Sequence, residues 1–261
     1  MFTDFQYGIN FASDFGLMVA TFDSSSGVET VSSGSQLTFN TVKPVGRDVS
    51  NLIGTTYEET ISTNFQLCKM VDCDAAVITP EEFGAINRWL NRKIFDEFKT
   101  NENGYENIRF VGSFNVQAIK VYGDIYGVDL TFTSNAPYGF SDETENYFNG
   151  KSFYIYDDSD EVGEIYPYTV ITCNEAGNLT ISNTLDDEIL QIQNCIKDEI
   201  ITIDGENKII TSTSSEHNIA NDFNYNFLKV INTYNDRDNT YTSSLNIDVN
   251  MKYSPIRKVG I

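Results

Sequence analysis

The chain has one histidine, His217, one tryptophan, Trp89, and 17 Lys and Arg against 38 Asp and Glu. Its four cysteines, Cys68, Cys73, Cys173 and Cys195, form no Cys-x-x-Cys pair, so with a single histidine a zinc site fits poorly. Cys68 and Cys73 could pair if a turn brought them together. Isolated thiols on strands, however, behave as small buried hydrophobes, and the reading is of a protein kept in a reducing cytoplasm. No run approaches the ~18 apolar residues of a membrane span, and Met1 to Asn10 lacks a basic stretch followed by an apolar one, so neither a membrane protein nor a signal peptide is expected. There is no phosphate-binding loop and no Gly-x-Gly-x-x-Gly run. The net charge of −21 repels phosphates, which argues against sequence-specific nucleic-acid binding. A channel that passes a polyanion without gripping it would carry the same sign.

Strand and turn formers are plentiful, and good helix formers are sparse. The exception is Thr79 to Phe98, where apolar residues recur at helical spacing. Thr79 suits the N-cap, Pro80 the first helical position, and Glu82 completes a capping box. Phe83, Ile86, Leu90, Ile94 and Phe98 fall on one face, which Trp89 widens. A helix over about 80–98 is expected to lie across a sheet, with Asn101, Asn103 and Gly104 ending it.

Elsewhere the pattern is alternation. Tyr7, Ile9, Phe11 and then Phe15, Leu17, Val19 mark two short strands. A further strand, Val28 to Val31, lies between two Ser-rich loops, and Leu37, Phe39, Thr41 alternate before Pro44-Val45-Gly46. Tyr57 to Met70 reads as a half-buried strand with Ile61, Thr63, Phe65 and Leu67 on one side. Ile108 to Val116 and Ala118 to Tyr122 lead through Gly123-Asp124 into Ile125 to Thr133, a plausible hairpin. Asn135-Ala136-Pro137-Tyr138-Gly139 breaks the pattern and is the expected boundary between a domain at 1–138 and another at 139–261. The second part is the more acidic, with 8 basic and 21 acidic residues against 9 and 17 in the first. Its short strand candidates, Lys151–Tyr156, Val170–Cys173, Asn178–Ser182, Ile189–Ile192, Glu199–Ile203, Lys208–Ser212 and Leu245–Tyr253, suggest a β-sandwich or jelly roll. Asp204-Gly205-Glu206-Asn207 is the cleanest hairpin turn.

Candidate chemistry has a plainer explanation at each place. Glu58-Glu59, Asp157-Asp158 with Asp160-Glu161, and Asp186-Asp187-Glu188 could imitate a glycosidase dyad, but their neighbours are polar and turn-like, so solvated loops are expected. The Asp157 to Glu161 string lacks the spacing of an EF-hand. Ser214, Ser215, Glu216 and His217 are adjacent in one loop, and a triad needs groups converging from rigid elements. Trp89 on a core-facing helix reads as packing rather than a sugar platform. Tyr225, Tyr234 and Tyr241 are candidates for an exposed binding surface. No catalytic, cofactor-binding or metal residue is assigned.

The run Ile78 to Phe98 with its Pro-Glu-Glu-Phe-Gly-Ala-Ile-Asn-Arg-Trp-Leu helix, the strand Ile125 to Thr133 and the closing Asn135-Ala136-Pro137-Tyr138 resemble the distal tail protein (Dit) family of long-tailed bacteriophages. The second half, from Ile165-Tyr166-Pro167-Tyr168 through Leu179 to Asn183 and on to Tyr253-Ser254-Pro255-Ile256-Arg257-Lys258, looks like that family's C-terminal module. The resemblance implies a mainly β protein: an N-terminal β-sandwich with one α-helix and an extended β-hairpin, then a C-terminal galectin-like or jelly-roll sandwich. It implies a non-enzymatic, homo-hexameric ring at the virion tail tip, assembled in the host bacterial cytoplasm. Implied partners are the major tail-tube protein, a tail-associated or tail-fibre protein and, in many members, receptor-binding proteins, with DNA passing through unbound and no membrane contact. Residues within about Ile108 to Phe132 and the apolar ones near Phe2 to Phe15 would be covered on assembly. The alternative is a carbohydrate-binding module for host cell-surface polysaccharide, using the C-terminal sandwich.

Overall fold

The computed structural model describes residues 2–20, 36–57, 60–71 and 74–259. The strand expected at Val28 to Val31 lies outside them, as do Glu58-Glu59 and Cys73. The protein is mainly β, and the chain forms two compact units, 1–141 together with 257–261, and 142–256.

In the first unit, ten strands among the described residues form one antiparallel sheet. Its path runs Asn10–Phe11, Phe5–Tyr7, Asp96–Thr100, Ile108–Val121, Asp124–Ser134, Ser62–Val71, Leu17–Ala20. The hairpin expected around Gly123-Asp124 is its centre, with Leu130 opposite Val116 and, on the other side, opposite Phe65. Gly112 is required by close approach: a Cβ there would stand 2.3 Å from the Thr133 carbonyl oxygen. The buried Tyr7 hydroxyl donates to the Gly112 carbonyl at 3.1 Å.

Helix α1, Pro80–Leu90, starts as its sequence dictates: the Glu82 N–H donates to Thr79 Oγ1 at 3.2 Å, and the Thr79 N–H donates to Glu82 Oε2 at 2.9 Å. Ile86, Trp89 and Leu90 are buried, and Phe83 packs against the same core. Trp89 stacks on Phe5 and Phe15 at centroid distances of 5.5 and 4.6 Å, and its indole N–H donates to the Tyr7 carbonyl at 2.9 Å. The tryptophan is therefore a packing residue whose polar edge is satisfied.

The helix ends eight residues earlier than 80–98. Asn91 is the C-cap, and Asp96–Thr100 is a strand, with Phe98 opposite Tyr7 on one side and Phe110 on the other. A strand paired on both edges satisfies its backbone as completely as a helix does and still buries Phe98, so tertiary pairing overrides the helical spacing. Ile94 and Phe95, in the connection, are 63% and 59% exposed. Arg92 bridges the joint, 2.7 Å from Asp96 Oδ2 and 5.4 Å above the Tyr7 ring. Gly104 turns between the next two strands rather than capping the helix.

The second unit is built on one long strand, Asp238–Tyr253. It pairs with Thr144–Tyr156 through residues 238–242 and 247–253. On its other edge it pairs with Gly177–Asn183 through residues 241–243 and with Tyr168–Cys173 through residues 247–252. The two long strands thus serve two half-sheets. The register shifts between Gly150 and Ser152, where Gly150 has φ +118°, so the two strands bend together and one sheet folds over its own core. One half-sheet continues to Ile189–Cys195, the other through Ile200–Asp204 to Ile209–Ser212. The last two make the expected hairpin, with Asp204 opposite Ile209. Between the layers lie Ile171, Leu179, Ile181, Ile192, Ile201, Val249 and Met251. Cys173 and Cys195 are buried among them and Cys68 in the first unit, each a free thiol. Gly163–Ile165 paired with Val230–Asn232 is a small additional sheet that alternation did not mark.

Phe98 touches Phe5, Phe65, Phe114 and Phe132 within 6.1 Å, centroid to centroid. Phe98→Ala is expected to cost about 3–5 kcal/mol, read as a fall in the urea midpoint at unchanged slope. Leu90→Asp, which buries an unpaired carboxylate, is expected to leave the first unit unfolded by circular dichroism.

Candidate functional site

A concentrated exposed apolar surface of the first unit is a hairpin outside the main sheet. Among the described residues Leu37–Val42 pairs only with Asn51–Tyr57, as a two-stranded sheet of its own. Every residue of Leu37–Val42 is exposed. Phe39, Val45, Leu52 and Ile53 are 61%, 104%, 58% and 68% exposed, and Val42 and Val49 are exposed with them. A two-stranded ribbon with neither face covered is marginal in water, and apolar side chains concentrated on one mark an interaction surface. At its base the ring of Tyr57 lies 5.6 Å from Lys258 Nζ.

The expected hairpin within Ile108 to Phe132 is the heart of the sheet, with Phe110, Phe114, Val128 and Leu130 buried, while its outer part exposes Asn115, Gln117, Lys120, Val121 and Tyr122. Phe2, Phe5, Tyr7 and Ala12 are likewise buried in their own unit, whereas Ile9 and Phe11 are exposed. Alternation in Leu37, Phe39 and Thr41 was visible in the sequence, but nothing there showed that both faces of the strand are exposed among the described residues.

In the second unit the acidic strings are not simply solvated loops. Asp186 and Glu188, with Glu164, surround the buried Lys229 ammonium at 3.5, 3.0 and 3.4 Å. Burial pulls the Lys229 pKa down, but Glu188, Asp186 and Glu164 more than offset this, and it lies above the ordinary lysine value. Asp157 is also buried. Its Oδ1 accepts from Ser159 Oγ at 2.9 Å, and desolvation raises its pKa despite the hydrogen bonds from Ser159 and Asn232. Both groups tie loops to the sandwich, a role that the charge pattern did not reveal. Tyr241, expected on the surface, is fully buried and donates to the Lys229 carbonyl at 2.7 Å, while Tyr225 and Tyr234 are exposed. Among the described residues no group of three His, Cys, Asp or Glu is arranged to hold a metal. None of their helices is long and apolar enough to cross a membrane.

His217 sits in no flexible loop. Its ring is buried between Glu199, with Nδ1 to Oε1 at 2.6 Å, and Asp222, with Nε2 to Oδ2 at 3.3 Å. Ser212 Oγ donates to the same Glu199 oxygen, and the Ile196 N–H donates to Oε2 at 2.8 Å. Burial favours neutral imidazole, but the Glu199 hydrogen bond and the Glu199 and Asp222 charges outweigh it and raise the His217 pKa. Burial pushes Glu199 up, yet the Ile196 N–H, Ser212 and His217 hold it below the ordinary carboxylate value. The serine hydroxyl is spent on the carboxylate, not on the imidazole, so this is a buried ion pair that pins the segment after Ser212 to the sandwich rather than a nucleophile and its base.

One outer face of the second unit is laid out in cross-strand rows. Tyr147, Asn250, Val170 and Thr202 follow one another across four strands, and Asn149, Asp248, Thr172 and Ile200 form the next row. Between them is an open cleft of about 480 Å³, lined by Tyr147, Asn149, Val170, Thr172, Asp248 and Asn250 among others. Sequence reading missed it because its residues come from three strands separated by up to about a hundred positions.

Comparison with known proteins accords with this architecture. Residues 1–136 match the model of a phage tail protein N-terminal domain, and residues 138–253 that of a phage tail C-terminal domain. No curated protein sequence matches the chain. Among solved structures, the Dit protein (gp 19.1) of phage SPP1, described as a paradigm of the hub adsorption apparatus in phages infecting Gram-positive bacteria, superposes with a TM-score of 0.69. The likeness covers 97% of this chain and 99% of that one at 8% identity, and is a likeness of fold.

The His217 cluster generates a pH dependence. A histidine whose folded pKa is raised contributes stability that is fully present below its unfolded pKa, about 6.5, and lost as pH rises through the folded value. Glu199, with a lowered folded pKa, contributes above its unfolded value and loses this as pH falls through the folded one. The melting temperature is therefore expected to decline as pH rises from about 6.5. His217→Gln should lower stability by about 1–3 kcal/mol at pH 6 and flatten that decline, measured by thermal unfolding across pH.

Proposed function

The chain belongs to the phage tail protein family defined by these two domains, and on that premise we propose that it is the hub ring of the tail tip. It is a structural component of the virion tail rather than an enzyme. In the proposed assembly six copies close head to tail around a central channel, joining the tail tube on one side to the tail-fibre and receptor-binding apparatus on the other. The ring would be assembled in the host cytoplasm before it joins the virion.

The observation that carries this reading is the exposed apolar hairpin Leu37–Tyr57. An exposed ribbon on one copy, received by a different surface on the next, would be a heterologous contact, the kind that generates a closed ring when the rotation closes. Covering Phe39, Val42, Leu52 and Ile53 would release roughly 1.5–3 kcal/mol for each side chain fully buried, enough to repay the loss of freedom when summed around a cycle. The low positive charge fits the second half of the proposal. A chain of net charge −21 offers DNA little to bind and lets it slide past.

Light scattering on the purified chain is expected to give a mass near six times 29.4 kDa, with annular particles in negative stain. Phe39→Asp with Ile53→Asp places two charges on the hairpin and is expected to give a folded monomer with an unchanged circular dichroism spectrum. A double variant that still forms rings would remove the hairpin from the ring contact. A wild-type chain that stays monomeric even in the presence of the tail-tube protein would overturn the proposal.

A further inference from the structure

Cys173 and Cys195 come from different strands and meet inside the second unit. Cys173 is the last residue of Tyr168–Cys173, and Cys195 the last of Ile189–Cys195. Backbone pairing brings these two ends together. Cys195 lies opposite Gly177, the first residue of Gly177–Asn183, and only a short turn separates Gly177 from Cys173. The connection that follows Cys195 then crosses over Cys173: the Cys173 N–H donates to the Glu199 carbonyl at 2.9 Å, and the Asp198 N–H donates to the Cys173 carbonyl at 2.7 Å. Both side chains are buried in the core, at 0% and 3% exposure, and the two thiols hydrogen-bond to each other. The Cys195 thiol donates to the Ile192 carbonyl at 3.6 Å, so its sulfur is left to accept from Cys173. A single buried cysteine is an ordinary small apolar residue, but two whose thiols meet where separate strands end are the arrangement that a disulfide requires.

We propose that Cys173 and Cys195 are a latent cross-link, which a peroxide closes into a disulfide within the folded second unit. The surroundings divide the roles. The Cys173 S–H and the Leu179 N–H are both aimed at the Cys195 sulfur and, against the effect of burial, hold its pKa below the ordinary thiol value. Cys173, which keeps its proton in that hydrogen bond and is desolvated, is pushed above it. Cys195 is therefore the thiolate that attacks. Its sulfur takes one oxygen of hydrogen peroxide, the O–O bond breaks, and hydroxide leaves and recovers the proton that Cys195 gave up. The Cys173 sulfur then attacks the sulfur of the resulting sulfenic acid, the S–O bond breaks, and water leaves with the Cys173 proton. Two thiols are oxidised and one peroxide is reduced, giving one disulfide and two waters.

The bond would fasten the hairpin of Gly177–Asn183 and Ile189–Cys195 to Tyr168–Cys173, which belongs to the other half-sheet. The two layers could then no longer separate at this end without breaking a covalent bond. Because both cysteines end their strands, local fraying is enough to admit a molecule as small as hydrogen peroxide. Disulfides persist outside cells, where a component of a released virion tail resides. The proposal does not rest on the hub reading, since the pair lies wholly within the second unit of one copy.

The test treats the native full chain with hydrogen peroxide, alkylates the remaining thiols in denaturant and maps the unreduced peptides by mass spectrometry. The expected product is a linked pair of peptides carrying Cys173 and Cys195, lighter than its two free parts by two hydrogen atoms. The melting temperature of the second unit should rise by roughly 5–20 °C and return to its starting value with a phosphine reductant. Cys173→Ala and Cys195→Ala should each abolish the rise. Recovery of both cysteines in alkylated form, or of Cys195 as a sulfinic acid with Cys173 free, would overturn the proposal whatever the assembly state of the chain. A linked pair that leaves the melting temperature unchanged or lowers it would overturn it as well, because the bond would not then fasten the native layers. The mapping on the wild type decides the matter even if neither alanine variant folds.

Discussion

The first unit depends on the contact between Trp89 and Phe5. The stacked rings, with Phe15 on the other side of the indole, are the place where the helix, the first strand and the turn after it meet. Phe5 in turn touches Phe65, Phe98 and Phe114, so one aromatic cluster joins strands drawn from almost the whole of the first unit. Aromatic rings bury large areas with few rotatable bonds, which lets eleven residues of helix hold a ten-stranded sheet in register. The unit's core is satisfied internally, and the Leu37–Tyr57 ribbon takes no part in it, remaining exposed among the described residues.

The second unit solves the same problem by sharing strands. Because Asp238–Tyr253 and Thr144–Tyr156 run through both layers, the sandwich has no independent halves, and the inward residues of one strand, from Tyr241 to Tyr253, contribute to the whole core. The outward residues of those strands are then free of packing duty. Polar amides, carboxylates and tyrosines accumulate there, and strand pairing sets them in rows at fixed spacing. The arrangement that stabilises the sandwich is thus the arrangement that sets the outward polar side chains at fixed spacing.

Charge works differently at different depths. On the surface the excess of acidic residues sets how the protein meets polyanions. In the interior of the second unit, Glu199 with His217, and Lys229 with three carboxylates, fasten loops to the sandwich. Such buried pairs are costly to break and specify one arrangement of the loops, although a composition-level reading sees only a long acidic stretch.

The sequence by itself determined the elements whose signals are local. The Thr79-Pro80-Glu82 cap, the Asp204–Asn207 turn, the Gly123-Asp124 turn and the alternation of Phe65 with Leu67 rest on residues within a few positions of each other, and the structure agrees. The resemblance of domain order was legible too, from texture spread over the chain. Only the tertiary structure decided where α1 stops, because Asp96–Thr100 became a strand once Phe5–Tyr7 and Ile108–Val121 stood on either side of it. It also decided that Leu37–Tyr57 is exposed along its length, that Tyr241 and Asp157 are buried, and that Tyr147, Asn149, Asp248 and Asn250 share a face. The physical reason is the same in each case: burial and side-chain neighbours are set by pairing between distant segments, and periodicity names the face of a strand without naming what lies against it.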